Sequence, residues 1–250
     1  MTSPTIAADK EVDALYGGMR SRHGNERARA NGYVSQSYFE REQRMVLSLI
    51  DADSTPIVDI AGGSGLMLAP LRATGKQVLV VDFNEDACAA ARHNSMYSVR
   101  GDAYALPFSD SSIAQTINCQ FLNQQSVETE EAFVGEIARV LRPGGRSIIV
   151  WRHAQSLLHR GANAVFETRD RILGRPIFPQ VSHPMDRMIE HARTAGLNIR
   201  QNFVSIPFFR DVTVGPKHPL GWIAGGSLVL VIEKPDQERA STLKQQQTGV

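Results

Sequence analysis

The chain has 250 residues, a near-balance of 27 Lys+Arg against 26 Asp+Glu, and an ordinary globular composition of 42% hydrophobic and 21% charged residues. This excludes a disordered or collagen-like chain and argues against wholesale nucleic-acid binding or an acidic solvating tail. Cys88 and Cys119 are the only cysteines and form no C-x-x-C pair, so they read as two reduced thiols rather than a structural zinc site.

Residues 1–18 carry neither the basic start nor the apolar run of a signal peptide. The longest apolar runs, 78–81, 148–151 and 228–232, are strand-sized and far short of the roughly 20 residues of a membrane span. The expectation is a cytoplasmic protein, monomer or homodimer, with no membrane and no nucleic-acid partner. In chain order, residues 38–50 predict an amphipathic helix with Phe39, Val46, Leu47 and Ile50 on one side. Residues 56–60 (PIVDI) predict a buried strand that ends in glycines. A helix over 66–73, a strand over 77–81, an Ala-rich helix within 85–97 and strands over 99–101 and 113–119 follow. The clearest helix is 127–141, where Phe133, Ile137, Val140 and Leu141 share a face. Ser126 can cap it, Glu128, Glu130 and Glu131 suit its first turn, and Pro143-Gly144-Gly145 ends it. A strand over 147–151, a helix over 185–195 and strands near 199–206 and 228–233 complete the series. Alternating helices and continuously apolar strands predict an α/β fold, a mostly parallel sheet with helices on both faces. Residues 1–50 read as an N-terminal helical lid segment, 51–235 as the main domain with an insert at 154–181, and 236–250 as a loose tail.

Three strand tips carry ligand-shaped residues. After the first strand, Asp59-Ile60-Ala61-Gly62-Gly63-Ser64-Gly65 lets the backbone turn sharply and approach a ligand at a helix start. A purely structural turn would look the same. Asp82 ends the second strand; an acid there can accept both ribose hydroxyls of an adenosine, or cap the next helix. Phe83 could lie against an adenine face or in the core. Asp102, after the third strand, could accept an adenine amine, with the Ala103 N–H donating to the ring, or serve as a turn residue.

With IVDIAGGSG, VLVVDFN, GDAYALPF and EIARVLRPGG in this order, the chain resembles the class I S-adenosylmethionine-dependent methyltransferases over roughly residues 33–235. It looks most like the small-molecule branch that includes the ubiquinone/menaquinone C-methyltransferases. The resemblance implies a Rossmann-like, seven-stranded sheet with the last strand antiparallel, and S-adenosyl-L-methionine as cofactor. It implies that Asp59 holds the cofactor's amino-acid end and that the backbone of Ala61, Gly62, Gly63 and Gly65 lines it. Asp82 would bind the ribose and Phe83 the adenine, Asp102 and Ala103 would read the adenine edge, and Asn118, Cys119 and Gln120 would lie under the methionine moiety. Ala61 stands where the family has glycine, which questions the backbone torsion there. Strand four is unusually polar at Gln115, Thr116 and Asn118, and Asn123-Gln124 replaces a frequent His-His pair.

Methyl transfer needs a general base only when the acceptor starts protonated. His153, just past strand five, is the candidate base, with Gln124 next. Arg152 could bind an anionic substrate group and Asn123 could orient the acceptor. The arginine-rich stretch 19–44, with Tyr16 and Tyr33 reaching the site, suits a lid over the cofactor, and the 154–181 insert would form the substrate wall. The scattered histidines show no metal-ligand spacing. The expected reaction is O-methylation of a small molecule. C- or N-methylation on the same fold, a nicotinamide-dependent oxidoreductase and an inactive binding protein of this fold are the alternatives.

Overall fold

The structure, a computed structural model, describes residues 35–51, 53–174, 181–206 and 212–236. The lid residues 1–34, with Tyr16 and Tyr33, lie outside them, as do 175–180 of the insert and 237–250 of the tail. One sheet contains β1 (Ile57–Ile60), β2 (Val78–Asp82), β3 (Tyr97–Arg100), β4 (Ile113–Cys119), β5 (Leu141–Arg152), β6 (Asn198–Ser205), β7 (Thr213–Val214) and β8 (Ser227–Glu233). Their spatial order is β3-β2-β1-β4-β5-β8-β6-β7. The first five strands pair in parallel, and β8 runs antiparallel between β5 and β6. The sheet has eight strands rather than seven. The additional one, β7, is two residues long and antiparallel to β6 at the sheet edge. Residues 213–214 are too short to leave an alternation pattern that could be read in advance.

The helices are α1 (Gln36–Leu49), α2 (Ala69–Ala73), α3 (Glu85–His93), α4 (Glu130–Val140), α5 (Leu157–Ile172), α6 (Met185–Thr194) and α7 (Pro219–Ala224). Successive residues of a strand point to opposite faces, so β5 feeds both layers. Ile148 and Val150 pack with Phe39 and Val46 of α1 and Ala91 of α3. Ile149 and Trp151 pack on the other face with Phe133, Ile137 and Val140 of α4 and Met188 of α6. All seven residues of β8 are buried, as a strand covered on both faces requires.

The RVLRPGG segment differs from the expectation. Helix α4 stops at Val140, and Pro143-Gly144-Gly145 lies inside β5. A Cβ on Gly145 would sit 2.8 Å from the Arg142 carbonyl oxygen and 3.0 Å from that of Ala114, so only glycine lets β5 approach β4 there. Ser126 caps a 3₁₀ turn, Val127–Thr129, ahead of α4. Glu130 is not a solvated first-turn charge. It is fully buried and bonds His183 Nδ1 at 2.6 Å and Arg187 Nε at 2.8 Å, tying α4 to α6.

Because β2 and β3 lie to one side of β1 and β4 to the other, the strand order reverses between β1 and β4. Ligands in open α/β sheets bind outside the carboxyl ends of the strands at such a reversal.

Candidate active site

Asp59, the penultimate residue of β1, lies at this reversal and is 1% exposed. Its Oδ2 has no hydrogen-bond partner. Burial, with a smaller push from the Asp82 charge, raises its carboxyl to about 7. A Cβ on Gly62 would meet Asp59 Cγ at 2.5 Å, so the loop backbone lies directly on the carboxylate. Ala61 adopts φ +53°, and Gly63 and Gly65 are also left-handed. A left-handed torsion that favours glycine is therefore adopted here by an alanine. Gly65 must lack a side chain, since a Cβ there would come within 2.7 Å of Met96.

Asp82 joins this loop to β2. One carboxylate oxygen accepts from the Gly63 N–H at 2.8 Å and the other from the Asn84 N–H at 3.0 Å. The cap of α3 is Asn84, not Asp82. Phe83 is 36% exposed on the rim, with the Arg100 guanidinium 5.3 Å from its ring centroid, so it is not a core residue. Asp102 is exposed and accepts from the Tyr104 N–H at 2.8 Å, so it shapes the turn that carries the buried Ala103. That turn is clamped from α4. Glu136 accepts from the Leu106 N–H at 2.7 Å, and Arg139 donates to the carbonyls of Leu106 (3.0 Å) and Phe108 (2.8 Å). The Glu and Arg of EIARVLRPGG thus hold the loop after β3.

At the tip of β4, Asn118 is fully buried and donates to the Ile60 carbonyl at 2.8 Å, while its Oδ1 has no partner. Burial, then the Glu42 and Asp59 charges, push the Cys119 thiol well above its ordinary value. Gln120 adopts φ +66° and donates to Glu42 Oε1 at 2.7 Å. Asn123 is buried and joined to the fold at both ends of its amide: Oδ1 accepts from the Arg152 N–H at 2.9 Å and Nδ2 donates to Gln120 Oε1. Gln124 is half-buried in the 3₁₀ turn Phe121–Gln124.

The sequence reading missed a second buried carboxylate. Glu42 of α1 is 5% exposed and accepts from Ser227 Oγ, which lies 3.0 Å from Tyr38 Oη. Ser227 pairs with Arg152 across β5 and β8, so this network reaches the same sheet edge. Burial, then the Glu42 charge, hold the Tyr38 phenol well above its usual value. A signal was present: Glu42 falls between Phe39 and Val46 on the apolar stripe of α1, where an acid has no place unless it is paired.

His153, one residue past β5, is 4% exposed, and its Nδ1 is buried without a partner. Its ring meets the Trp222 ring edge-on at 5.5 Å between centroids. Burial lowers its pKa. Neighbouring His159, bonded to the Gly225 carbonyl at 3.1 Å, is lowered to about 4, by burial first and then by the Arg152 charge. The sheet thus brings Asp59, the glycine loop, Asp82, Asp102 and Asn118 to Gln120 together at four adjacent strand tips. It places Arg152 and His153 one strand further along. Among the described residues, no group of three His, Cys, Asp or Glu side chains could hold a metal ion, and no helix is long and apolar enough to cross a membrane.

The fold is the one found in solved S-adenosylmethionine-dependent methyltransferases, and the site resembles theirs. Residues 58–149 match the family described as "Methyltransferase domain". The chain is 34% identical over 113 residues to a demethylmenaquinone methyltransferase of Mycobacterium sp. (strain JLS), covering 45% of this chain and 47% of that one. It is 38% identical over 91 residues to the enzyme of the same name from Corynebacterium kroppenstedtii, covering 36% and 38%. The matches therefore span about half or less of these relatives' length, and the resemblance is to the menaquinone branch. In fold, it superposes on the magnesium protoporphyrin IX methyltransferase of Synechocystis PCC 6803, solved with bound SAH. That match has a TM-score of 0.62 and 14% identity, covering 92% and 98% of the two chains. A second fold match is a SAM-dependent methyltransferase, possible histamine N-methyltransferase, from Thermotoga maritima, with a TM-score of 0.57 and 20% identity, covering 78% and 88%.

The Synechocystis enzyme of this fold holds SAH, and a ligand of that kind can be tested against the residues of this site. The residues present suit it. The partnerless Asp59 Oδ2 and Asn118 Oδ1 sit beneath a loop that a Cβ at Gly62 would fill. A buried acceptor oxygen without a partner is costly, and a polar ligand relieves it.

Proposed function

We propose that this protein transfers the methyl group of S-adenosylmethionine to a hydroxyl-bearing small molecule. Asp59 and Asn118 hold the cofactor's amino-acid end, Asp82 its ribose, and Asp102 with the Ala103 N–H its adenine. Phe83 lies along the adenine rim. When bound, the cofactor supplies an electrophilic methyl group. Tyr38, Glu42 and Ser227 form the wall behind it. The inner side of α5 forms the opposite wall, and Gln124 and Arg152 line the acceptor side. The enzyme acts in the cytoplasm, as a monomer or homodimer, with no nucleic-acid partner.

The single observation behind the hydroxyl acceptor is His153. Burial keeps its imidazole neutral at neutral pH, and Nδ1 has no partner, so that nitrogen can take a proton from the acceptor. The relatives' name favours a second reading, in which the acceptor resembles demethylmenaquinone and the methyl goes to carbon. Loss of a quinol proton to His153 would activate that carbon as well. His153→Ala should cut turnover about 10²–10⁴-fold and leave affinity for S-adenosylhomocysteine unchanged in calorimetry. High pH, which ionises the acceptor unaided, should partly restore the rate. Near-normal turnover would remove His153 as the base, and mass analysis of the product separates O- from C-methylation.

A further inference from the structure

Helix α5 is unusual for its length. None of its described side chains is fully buried. A helix of this size has little stability unless an apolar face is covered. Leu157 (60% exposed), Val165 (68%) and Ile172 (79%) recur at helical spacing with Gly161, Ala164 and Thr168 on one outward face. Helix α7 packs beside it and adds Trp222 and Ile223, both about half exposed. Six of the nine large exposed hydrophobics among the described residues belong to α5, α7 and Leu173, which follows α5. They gather on two neighbouring helices rather than scattering singly over the surface.

The charge around the patch is one-sided. Helix α5 carries Arg160, Arg169 and Arg171 against Glu167 and Asp170, in a chain whose net charge is only +1. Arg160 and Arg171 flank the apolar stripe on one side and Arg169 on the other, while Glu167 is half-buried on the inner side. An apolar stripe between arginines, with a tryptophan at its edge, has the chemistry of a helix lying in a lipid interface. A second copy of the same face would set these arginines against one another.

We propose that the α5–α7 face docks on an anionic lipid surface. The apolar side chains enter the headgroup boundary and the arginines meet the lipid phosphates. This departs from the expectation of no membrane partner, and it concerns a surface contact, not a spanning segment. Trp222 also touches His153, so docking places the acceptor side at the lipid boundary. That consequence rests on the methyltransferase reading; the docking itself does not.

The test is co-sedimentation of the full chain with vesicles of phosphatidylglycerol and phosphatidylcholine, against pure phosphatidylcholine vesicles. Binding is expected to the anionic vesicles, to weaken with salt and to be much lower on the neutral ones. The double variant Val165→Asp/Ile172→Asp should lose at least about tenfold in partitioning while binding S-adenosylhomocysteine as wild type does. No binding to anionic vesicles, or equal binding by the variant, overturns the proposal. So does a wild-type dimer that the variant converts to monomer, since the face would then be a subunit interface. If S-adenosylhomocysteine fails to bind while the vesicle result holds, only the methyltransferase reading falls.

Discussion

The two halves of the sheet's carboxyl edge are built differently. On the side of β1 to β4, ligand groups come from short strand–turn segments, each within a few residues of the strand that positions it. Asp59, Asp82 and Asn118 end or nearly end their strands, and Asp82 reaches only to the Gly63 and Asn84 N–H groups. On the side of β5 and β8, the polar groups come from far apart in the chain. Tyr38 and Glu42 meet Ser227 across separations of 189 and 185 residues, and His153 packs on Trp222 and Gly225. On the proposed function the first side holds the cofactor, which one local geometry serves, and the second holds the acceptor, in a pocket assembled by whatever the fold brings alongside.

The comparison can be broken most directly at Asp82. On the proposed placement, Asp82→Ala removes two charge-assisted hydrogen bonds to ribose, and it also releases the Gly63 N–H from its anchor. The expected loss is about 2–4 kcal/mol of binding to S-adenosylmethionine or S-adenosylhomocysteine. Calorimetry showing wild-type affinity would mean that the local strand-tip geometry does not hold the cofactor at all.

A smaller effect, on pH, sharpens the comparison at Asp59. Its carboxyl is raised to about 7, so the folded chain holds a proton that the unfolded chain gives up near pH 4. The sign follows from that. Folding stability from this group is greatest below the unfolded value and declines as pH rises to about 7. A cationic ammonium brought beside the carboxylate reverses the shift, so binding should release a proton below about pH 7. Affinity should then rise by up to about tenfold per pH unit and level off above that point. Calorimetry at pH 6 in two buffers of different ionisation enthalpy measures the proton directly. Equal heats in the two buffers would place the ammonium elsewhere.

How much of this could be read beforehand follows from the same contrast. The strand tips were legible because their glycines, acids and apolar runs are neighbours in sequence. The RVLRPGG motif was visible, but its work was not. Glu136 and Arg139 act on Leu106 and Phe108, about 30 residues away, and Gly145 answers a close approach to β4 that only pairing reveals. Glu42 fell within the arginine-rich stretch 19–44 read as a lid, and only its place on the apolar stripe of α1 marked it as buried. The polar residues of β4 looked wrong for a central strand, yet Gln115 accepts from the Asp51 N–H and Asn118 donates to Ile60. Helices α5 and α7 went unread because both lie mostly at the surface and leave no inward-facing apolar rhythm.

The smallest expected effect lies at a position where the sequence did pose the question. Ala61 occupies the glycine position of the β1 turn, and its φ of +53° is left-handed. A side chain in that region brings Cβ against the following carbonyl, at a cost of roughly 1–2 kcal/mol. Ala61→Gly relieves the strain but gives the unfolded chain more freedom, which takes back about 0.4–1 kcal/mol. The net expectation is a gain of up to about 1 kcal/mol in urea unfolding, with unchanged slope. Cofactor affinity should stay within about twofold, because the backbone N–H and carbonyl groups of the turn keep their places and only a methyl group leaves. A destabilised variant would show that the alanine methyl makes packing contacts worth more than the torsional strain. Loss of cofactor affinity without loss of stability would instead show that the strained alanine pre-organises the turn, and that even this most local part of the site depends on a side chain.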